Sequence, residues 1–416
     1  MSRWGTTRVL RDRDAGLYLS GVVVSGFGTS AMWLVAGVWV KSLTGSDSLA
    51  ALTAFAMWAP VLAGPALGAL VDRLPRRPVL VGVDLLMAAL LPVLLLLDSA
   101  DRVWLLFAVL PVYGICGTLH DAAEAALVAQ AVDPRLLGDL GGLRLAAGEA
   151  VKLLAPLVGA GLFARYGGAS VALLDAATFA LAAAIFLRMR AGGTAPGHGP
   201  ARGGFAEGAR RLWGSRTLRP LLLTGGAVMF LAGLNGAAVY AVADGVPGRT
   251  PAYVGLMYAV QGAGSVVTGL AAGPLLRRLP GWLFAAAGTA LFALGSGARA
   301  APYDAVVLAG SAAIGAGLPC VLIAALTAVQ REVPDAVVGR AAATANTVLF
   351  VPNAVALAVG AGLVAFMDVR VLLPLLAAAG LAVATLLLVS RRPQAGGCDL
   401  RIGAPPRIPR LKRRRG

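Results

Sequence analysis

Six ionisable residues of this sequence lie inside long apolar runs, where an isolated charge is costly. The six are Asp84, Asp121, Glu124, Glu149, Lys152 and Asp175. A carboxylate that is withdrawn from water holds a proton more tightly than one in solution, so it can bind and release protons near neutral pH. Ionisable residues in such surroundings therefore indicate proton or ion binding. For Asp84, Asp175 and His120, which lies in the fourth predicted span, a structural role is the favoured interpretation.

Glu149 and Lys152 are the most informative pair. They are three residues apart, which places both on one face of a helix. Three interpretations remain open: a structural ion pair, an element that couples ion movement to a conformational change, and a counter-ion for a substrate. Asp121 and Glu124 share a helix face in the same way. These four residues are the candidates for proton or ion coupling.

The elements that must position these residues are membrane helices. Of the 416 residues, 58% are hydrophobic and 13% are charged, whereas soluble domains contain about 45–50% apolar residues. Apolar runs near the ~20 residues that a helix needs to cross a bilayer follow one another along the chain. They predict twelve spans, which begin near Leu17, Leu49, Val79, Val103, Gly142, Ala169, Leu221, Ala252, Trp282, Ala305, Val338 and Val371.

The basic residues are distributed unevenly between the predicted connectors. If the termini and alternate connectors share one side, that side holds 29 of the 36 Lys and Arg residues. This bias predicts a multi-pass cell-membrane protein with both termini in the cytoplasm. Arg299 is assigned to a connector on the opposite side, and the second half of the chain is expected to carry no deep charge. The tail RLKRRR at 410–415 is attributed to contact with anionic lipid, so no nucleic-acid partner is expected.

The chain contains an internal repeat. At an offset of 201 residues, VGAGL at 158–162 falls on VGAGL at 359–363, and Gly114 falls on Gly315. The repeat predicts two six-helix halves arranged about an axis along the membrane normal, as in many carriers. The predicted organisation is a cytoplasmic N-terminus (1–16), a first six-helix bundle (17–188), a cytoplasmic linker (189–219), a second six-helix bundle (220–390) and a basic cytoplasmic tail (391–416).

The connector GALVDRLPRR at 68–77 resembles the signature loop between helices two and three of the major facilitator superfamily. Its copy GPLLRRLPGW at 273–282 keeps the glycine and the arginines but lacks the aspartate. The resemblance implies an all-α membrane protein with twelve transmembrane helices in two pseudo-symmetric six-helix bundles. It also implies that the first copy is a conformational latch, which holds helices two and eleven together on the cytoplasmic side in the outward-open state. The latch residues are Gly68, Asp72, Arg73 and Arg76.

The fifth predicted span partly resembles the antiporter motif of exporter branches of this superfamily. The stretch GGLRLAAGEAVKLLAPLVGAG contains Gly142, Pro156 and Gly159, which match the motif, whereas Ala155 and Ala160 replace glycines. These replacements are small, so the close packing that the motif provides is retained. The resemblance favours export over uptake.

Residues near the middle of the predicted spans indicate the kind of ligand. An apolar and aromatic cavity with a few amides suits amphipathic or aromatic organic molecules. The candidate cavity residues are Trp58, Tyr113, Phe230, Asn235, Gln261, Phe350 and Asn353. The sequence has no ATP-binding P-loop and no spacing typical of a catalytic or metal site, so we expect no enzyme and no cofactor, with a proton gradient as the energy source.

The expected function is therefore proton-coupled export of small amphipathic or aromatic molecules by alternating access. The expected partners are the substrate and the lipid bilayer, and a monomer is expected from the resemblance. The alternative is a facilitator or symporter that imports a small polar nutrient or metabolite.

Overall fold

The structure, a computed structural model, describes residues 11–64, 67, 74–132, 137–189, 210, 212–245, 253–333 and 335–390. Twelve long helices follow one another in these ranges. Their bounds are α1 Arg13–Thr44, α2 Asp47–Trp58, α3 Arg76–Leu90, α4 Trp104–Ala131, α5 Leu137–Tyr166, α6 Gly168–Leu187, α7 Leu218–Ala237, α8 Tyr253–Arg278, α9 Gly281–Ala298, α10 Asp304–Glu332, α11 Asp335–Phe366 and α12 Val369–Ser390. The 3-10 segments Ala59–Ala63 and Leu91–Leu96 continue α2 and α3, and the short helix Val239–Asp244 follows α7.

Local sequence sets the tight turn between α1 and α2. Helix α1 begins after Asp12, whose carboxylate accepts a hydrogen bond from the Ala15 backbone N–H at 2.8 Å. It ends at Gly45, whose φ of 69° lies in the left-handed region that favours glycine. Helix α2 follows at once, because the Ser46 hydroxyl accepts from the Leu49 backbone N–H at 3.2 Å. These caps satisfy backbone groups at both helix ends, so the chain reverses within two residues.

Length and composition suit these helices to a bilayer. In the described part of the chain, 10 helices are long and apolar enough to cross a membrane. The other two of the twelve are α2, whose described part, Asp47–Ala63, is a shorter apolar helix, and α5, which carries Glu149 and Lys152. All twelve helices begin within five residues of the starts that the sequence predicts.

The helices pack as two halves with the same internal contacts. In the first half, α1 packs on α5, α2 on α4, and α3 on α6. The second half repeats this pattern six helices later, with α7 on α11, α8 on α10, and α9 on α12. The halves meet through α2 with α11 and through α8 with α5, which are also equivalent pairs. The prediction of an all-α fold with two pseudo-symmetric six-helix bundles is confirmed.

One pair of glycines from the sequence repeat lies at equivalent helix crossings. A Cβ atom added at Gly114 on α4 would lie 2.2 Å from the Met57 carbonyl oxygen on α2. A Cβ atom added at Gly315 on α10 would lie 1.8 Å from the Gln261 carbonyl oxygen on α8. Because only glycine allows backbones to approach this closely, the repeat preserves the same helix contact in both halves.

Candidate functional site

A central cavity of about 360 Å³ lies between the two halves. Helices α1, α2, α5 and α8 form its walls. Three aromatic side chains line it, Trp33, Trp58 and Tyr258. The Trp33 and Tyr258 rings meet edge to face, with centroids 4.9 Å apart and an interplanar angle of 71°. The aromatic lining of this cavity therefore comes from both halves of the chain.

Polar groups in the central cavity are few. Lys152 and Gln261 line it together with the hydroxyl groups of Thr29, Ser30 and Ser265. The structure thus brings three sequence candidates, Trp58, Lys152 and Gln261, to one cavity.

The remaining cavity candidates lie elsewhere. Phe350 stacks on Trp58 with ring centroids 6.5 Å apart, and Phe230 is half-buried against the core of the second half. Asn353 lies beside Gly233, where α7 and α11 cross. Tyr113 lines a second cavity, and Asn235 lies buried at the end of α7.

The second cavity, of about 270 Å³, lies within the first half. We call it the acidic cavity, because Asp121 and Glu124 line it together with His120 and Arg144. Thr29 and Ser30 of α1 line this cavity as well as the central one. The two cavities therefore share a wall at this part of α1.

A chain of ionisable side chains runs along the acidic cavity. His120 Nδ1 lies 2.9 Å from Asp84 Oδ1, and His120 Nε2 lies 3.8 Å from Glu124 Oε2. Arg144 Nε donates to Glu124 Oε1 at 2.7 Å, and the Tyr18 hydroxyl also donates to Glu124. We call Asp84, His120, Glu124 and Arg144 the buried network. It joins α3, α4 and α5, and Tyr18 ties it to α1.

Because its carboxylates are buried, the protonation of this network decides whether it holds an uncompensated charge. Asp84 is 0% exposed and Glu124 is 3% exposed. Asp84 Oδ2 makes no hydrogen bond within the described residues. Within these four residues, two carboxylates and one guanidinium leave one negative charge, which one proton, for example on His120, neutralises. Arg144 is 47% exposed, and Asp121, which lines the same cavity, is exposed and stands outside this balance. Because an uncompensated buried charge is costly, the buried carboxylates Asp84 and Glu124 favour one bound proton.

A separate carboxylate lies deeper in the first half. Asp175 on α6 is 0% exposed and accepts a hydrogen bond from the Tyr113 hydroxyl at 2.7 Å. Thr178 is its second partner, with its hydroxyl 3.3 Å from Asp175 Oδ1. Asp175 is therefore hydrogen-bonded within the protein, as a structural role would require. It is not part of the hydrogen-bonded chain of the buried network.

Arg299 follows α9 in the connector to which the sequence assigns it, but it is only 3% exposed. The sequence does not anticipate this burial. Arg299 caps the end of α9 and donates to Asn235 Oδ1 at 2.9 Å and to Gln261 Oε1 at 3.1 Å. The Ser311 hydroxyl on α10 accepts from Nε at 3.1 Å and from Nη2 at 2.9 Å. In the sequence, Asn235, Gln261 and Ser311 lie singly on α7, α8 and α10, and their spacing does not reveal that they meet at Arg299.

The structure describes only part of the latch loop and of the antiporter-like motif. Gly68, Asp72 and Arg73 lie outside the described residues. On α5, the surroundings of Gly142 and the side chain of Glu149 lie outside them as well. Arg76 begins α3 and is half-buried.

The small residues of α5 pack closely on both of its sides. A Cβ atom added at Gly159 would lie 3.0 Å from the Ala31 Cβ on α1. Across the interface, a Cβ atom added at Gly255 on α8 would lie 2.8 Å from the Ala160 Cβ, and Pro156 lines the central cavity. The small side chains of α5 therefore permit close contact with α1 in its own half and with α8 in the other.

The two halves are joined at the end of the bundle where α1 and α7 finish. Lys41 on α1 contacts Asp47 at 2.8 Å and Asp244 at 2.6 Å. Asp244 follows α7, so Lys41 bridges the halves. The Ser48 hydroxyl at the start of α2 donates to the Ala361 carbonyl oxygen of α11 at 2.7 Å. We call this end of the bundle the sealed end.

Aromatic packing reinforces the sealed end. Tyr240, in the short helix after α7, is 6% exposed and packs on Gly37 of α1. A Cβ atom added at Gly37 would lie 1.8 Å from the Tyr240 hydroxyl oxygen, so a larger residue there would displace the ring. Backbone contact, an aromatic ring and an ion pair together close this side of the interface.

Comparison with known proteins agrees with this architecture. Residues 18–356 match the family model of the Major Facilitator Superfamily. A comparison with curated proteins gives no match.

Solved transporter structures share the fold. An auto-inhibited POT family peptide transporter is 15% identical with a TM-score of 0.69, over 91% of this chain and 96% of that one. The nucleoside transporter NupG is 12% identical with a TM-score of 0.72, over 91% and 99%. A bacterial homologue of the iron transporter ferroportin, in an inward-facing state, is 15% identical with a TM-score of 0.66, over 92% and 98%. At these identities the likeness concerns the fold alone. With the family match over most of its length, this multi-pass membrane chain belongs to the Major Facilitator Superfamily of transporters.

Proposed function

We propose that this protein exports small amphipathic or aromatic organic molecules in exchange for protons, by alternating access. The observation that carries the proposal is the shared wall between two unlike cavities. Trp33, Trp58 and Tyr258 give the central cavity an aromatic lining, and Thr29 and Ser30 separate it from the acidic cavity. A ligand site and a proton site so placed can influence each other through one segment of α1.

The buried network is the proposed proton site. It is neutral with one proton, and it bridges α3, α4 and α5. Loss of that proton leaves a net negative charge among these helices, which favours a rearrangement that admits water or a counter-charge. Proton binding and the arrangement of the first half are therefore linked.

The proposed direction rests on the partial antiporter motif in α5, and the charge distribution gives the orientation of the sealed end. With the arginine-rich connectors and both termini in the cytoplasm of the cell membrane, the sealed end faces outwards. The contacts of the sealed end would then separate the central cavity from the outside in the arrangement that the structure describes. The partial antiporter motif in α5 supports release to the outside in exchange for protons.

Flux in sealed vesicles tests the proposal. Purified protein is reconstituted with the pH-sensitive dye pyranine inside, and aromatic compounds of neutral, cationic and anionic charge are added outside. We expect at least one compound to enter in a saturable manner while protons leave the vesicle, and a protonophore to abolish the pH change. Vesicles without protein are the control. Proton movement in the same direction as the compound, or saturable flux with no proton movement, would refute exchange.

Loss of the ion pair between the halves should favour opening of the sealed end. Asp244→Asn removes one partner of Lys41, and because Asp244 is 44% exposed the pair is weak. Exposed pairs contribute up to about 1 kcal/mol, so we expect a roughly two- to fivefold rise in the population with this end open. A cysteine at Ala51, which is 1% exposed between the halves, should react with an impermeant maleimide faster by the same factor.

The control for this experiment is Asp98→Asn. Asp98 pairs with Arg102 at 3.0 Å within the first half, and both side chains are more than half exposed. Native cysteines are changed to serine in all variants. An equal labelling rate at Ala51→Cys in the Asp244→Asn and Asp98→Asn proteins would show that the Lys41 bridge does not hold the sealed end.

A further inference from the structure

Asp175 on α6 is a buried carboxyl group outside the buried network. It is 0% exposed, and its described side-chain partners are the hydroxyl groups of Tyr113 and Thr178, which carry no charge. A carboxylate that is withdrawn from water without a cation is costly, so a carboxyl group in such surroundings is more stable in its neutral, protonated form.

The helices around Asp175 offer its carboxyl group no ion pair in the part of the chain that the structure describes. Helices α1, α3 and α5 pack on α6, and α4 contacts it through Tyr113. Residues 19–40 of α1 include no ionisable side chain. The ion pairs within the other three helices join Asp84 to His120 and Arg144 to Glu124. The other described cations of these helices do not pair with Asp175; they are Arg13, Lys41, Arg76, Arg77, Lys152 and Arg165. The side chain of Glu149 lies outside the described residues, and a second carboxylate would not compensate a negative charge.

The contacts of Thr178 indicate where the proton lies. Its hydroxyl oxygen is 2.7 Å from the backbone carbonyl oxygen of Asp175 and 3.3 Å from Asp175 Oδ1. A hydroxyl group has one proton to donate, and the shorter contact, to a carbonyl that only accepts, takes it. The contact with Oδ1 is then a hydrogen bond only if the carboxyl group supplies the proton. A protonated Asp175 satisfies both contacts.

Helix α1 closes over this carboxyl group at Gly28. A Cβ atom added at Gly28 would lie 2.3 Å from Asp175 Oδ1 and 2.1 Å from Thr178 Oγ1. Because only glycine allows the backbone of α1 to approach so closely, this contact leaves no space for water or a counter-ion on that side of the carboxyl group. The position of α1 therefore keeps Asp175 in its neutral form.

The same segment of α1 lies against the central cavity. The next two residues, Thr29 and Ser30, form the wall that this cavity shares with the acidic cavity. A ligand that displaces this wall also moves Gly28 away from Asp175. Tyr113 lines the acidic cavity and donates to Asp175, so one hydroxyl group separates the carboxyl group from water that enters there. Displacement of α1 thus gives Asp175 a route to water.

We infer that Asp175 is a second proton-binding site, separate from the buried network, which is protonated in this arrangement and releases its proton when α1 moves away from α6 at Gly28. In that step the O–H bond of the carboxyl group breaks, the proton passes to water and a carboxylate remains. The part of Asp175 in transport rests on the proposed function, and it makes two protons, in place of one, the number exchanged for each molecule. The protonation of Asp175 itself does not rest on it.

Infrared spectroscopy of the purified full-length protein at neutral pH tests the protonation. A protonated carboxyl group has a carbonyl stretching band at higher frequency than a carboxylate, and this band shifts in D₂O. We expect Asp175→Asn to lose one such band. Asp98→Asn, which changes a carboxylate that is 63% exposed, is the control and should lose none. An unchanged band in folded Asp175→Asn would overturn the inference.

Two glycine variants test the contact with α1. In Gly28→Ala the added methyl group would also lie 2.9 Å from the Asp175 Cα atom, so rotation of side chains alone cannot make room and the helices must separate. We expect the protonated band to weaken at neutral pH. Gly26→Ala is the matched control, because a Cβ atom added at Gly26 meets nothing within 4 Å, and its band should be unchanged. Equal bands in the two variants would show that α1 does not hold the proton. Gel filtration shows whether each protein is folded, and the glycine pair provides the test if Asp175→Asn is not.

Proton counting separates this inference from the proposed function. With a compound that the vesicle experiment identifies, we expect Asp175→Asn to move about half as many protons per transported molecule as the unchanged protein, since one of two titrating sites is removed. An equal count in the two proteins would overturn proton release at Asp175 and leave exchange standing. No proton movement in the unchanged protein would refute exchange, and the infrared spectra would still decide whether Asp175 holds a proton.

Discussion

Replacing Glu124 with Gln is expected to lower transport driven by a pH gradient strongly, while exchange of substrate across the membrane at equal pH continues. Glu124 is 3% exposed and lies between His120, Arg144 and Tyr18. Glutamine has nearly the same shape and keeps an oxygen that can accept from Arg144, but it cannot take up a proton at neutral pH. The buried network then loses one of its negative charges, so it is neutral without a bound proton.

The measurement compares two modes of flux in the same vesicles. We expect gradient-driven flux to fall by roughly tenfold or more, since removal of a proton-transfer group commonly costs at least about 10²-fold in enzymes. Exchange of labelled for unlabelled substrate should stay within about twofold, because that mode does not require net proton movement. The substrate is a compound that the vesicle experiment identifies.

Glu332→Gln is the matched control. Glu332 ends α10, is exposed, and contacts the Ser215 hydroxyl at 2.8 Å, far in sequence from the acidic cavity. Loss of both flux modes in Glu124→Gln together with poor yield would identify the buried network as structural. Retained gradient-driven flux in Glu124→Gln would show that the proton site lies elsewhere. Glu149 would then be the next residue to test.

The fold is predictable from this sequence because its signals are local. Runs of apolar residues and the breaks between them fix the twelve helices, and the turn at Gly45 and Ser46 shows how capping residues set an exact end. The repeat is visible because equivalent glycines meet the same backbone constraint, as at Gly114 and Gly315. Each of these features can be recognised in the sequence without knowing which side of a helix faces which neighbour.

The candidate site is less predictable because it depends on helix rotation and on contacts between distant residues. Asp84 and His120 are 36 residues apart, on different helices, and their contact follows only from how α3 packs on α4. When Asp84 and His120 are considered one at a time, the sequence favours a structural role for each. Glu124 and Arg144 are likewise separated by 20 residues, so spacing along one helix cannot reveal their pairing.

Arg299 shows a second limit of prediction from the sequence, because its burial was not expected. An arginine at the end of an apolar run normally reaches water, and the positive-inside argument treats it as part of a connector. Here three helices close over it, and their side chains supply uncharged acceptors in place of solvent. The sequence contains these acceptors, but nothing in their spacing indicates that they converge on one guanidinium group.

Replacing Arg299 with Met is expected to lower thermal stability. The substitution leaves the oxygens of Asn235, Gln261 and Ser311 without their donor, and a buried group left unpaired costs about 1–3 kcal/mol. Removal of a buried charge offsets part of this cost, because a desolvated guanidinium is itself unfavourable. The number of lost contacts decides the sign, so we expect the melting temperature to fall by several degrees.

Two further variants separate charge from hydrogen bonding. Arg299→Lys keeps the positive charge but cannot span three acceptors with one ammonium group, so its melting temperature should lie between those of Arg299→Met and the unchanged protein. Arg370→Met, at an exposed arginine in the first turn of α12, should leave the melting temperature unchanged. If Arg299→Met melts at the same temperature as Arg370→Met, the desolvation of the buried charge costs as much as its hydrogen bonds contribute.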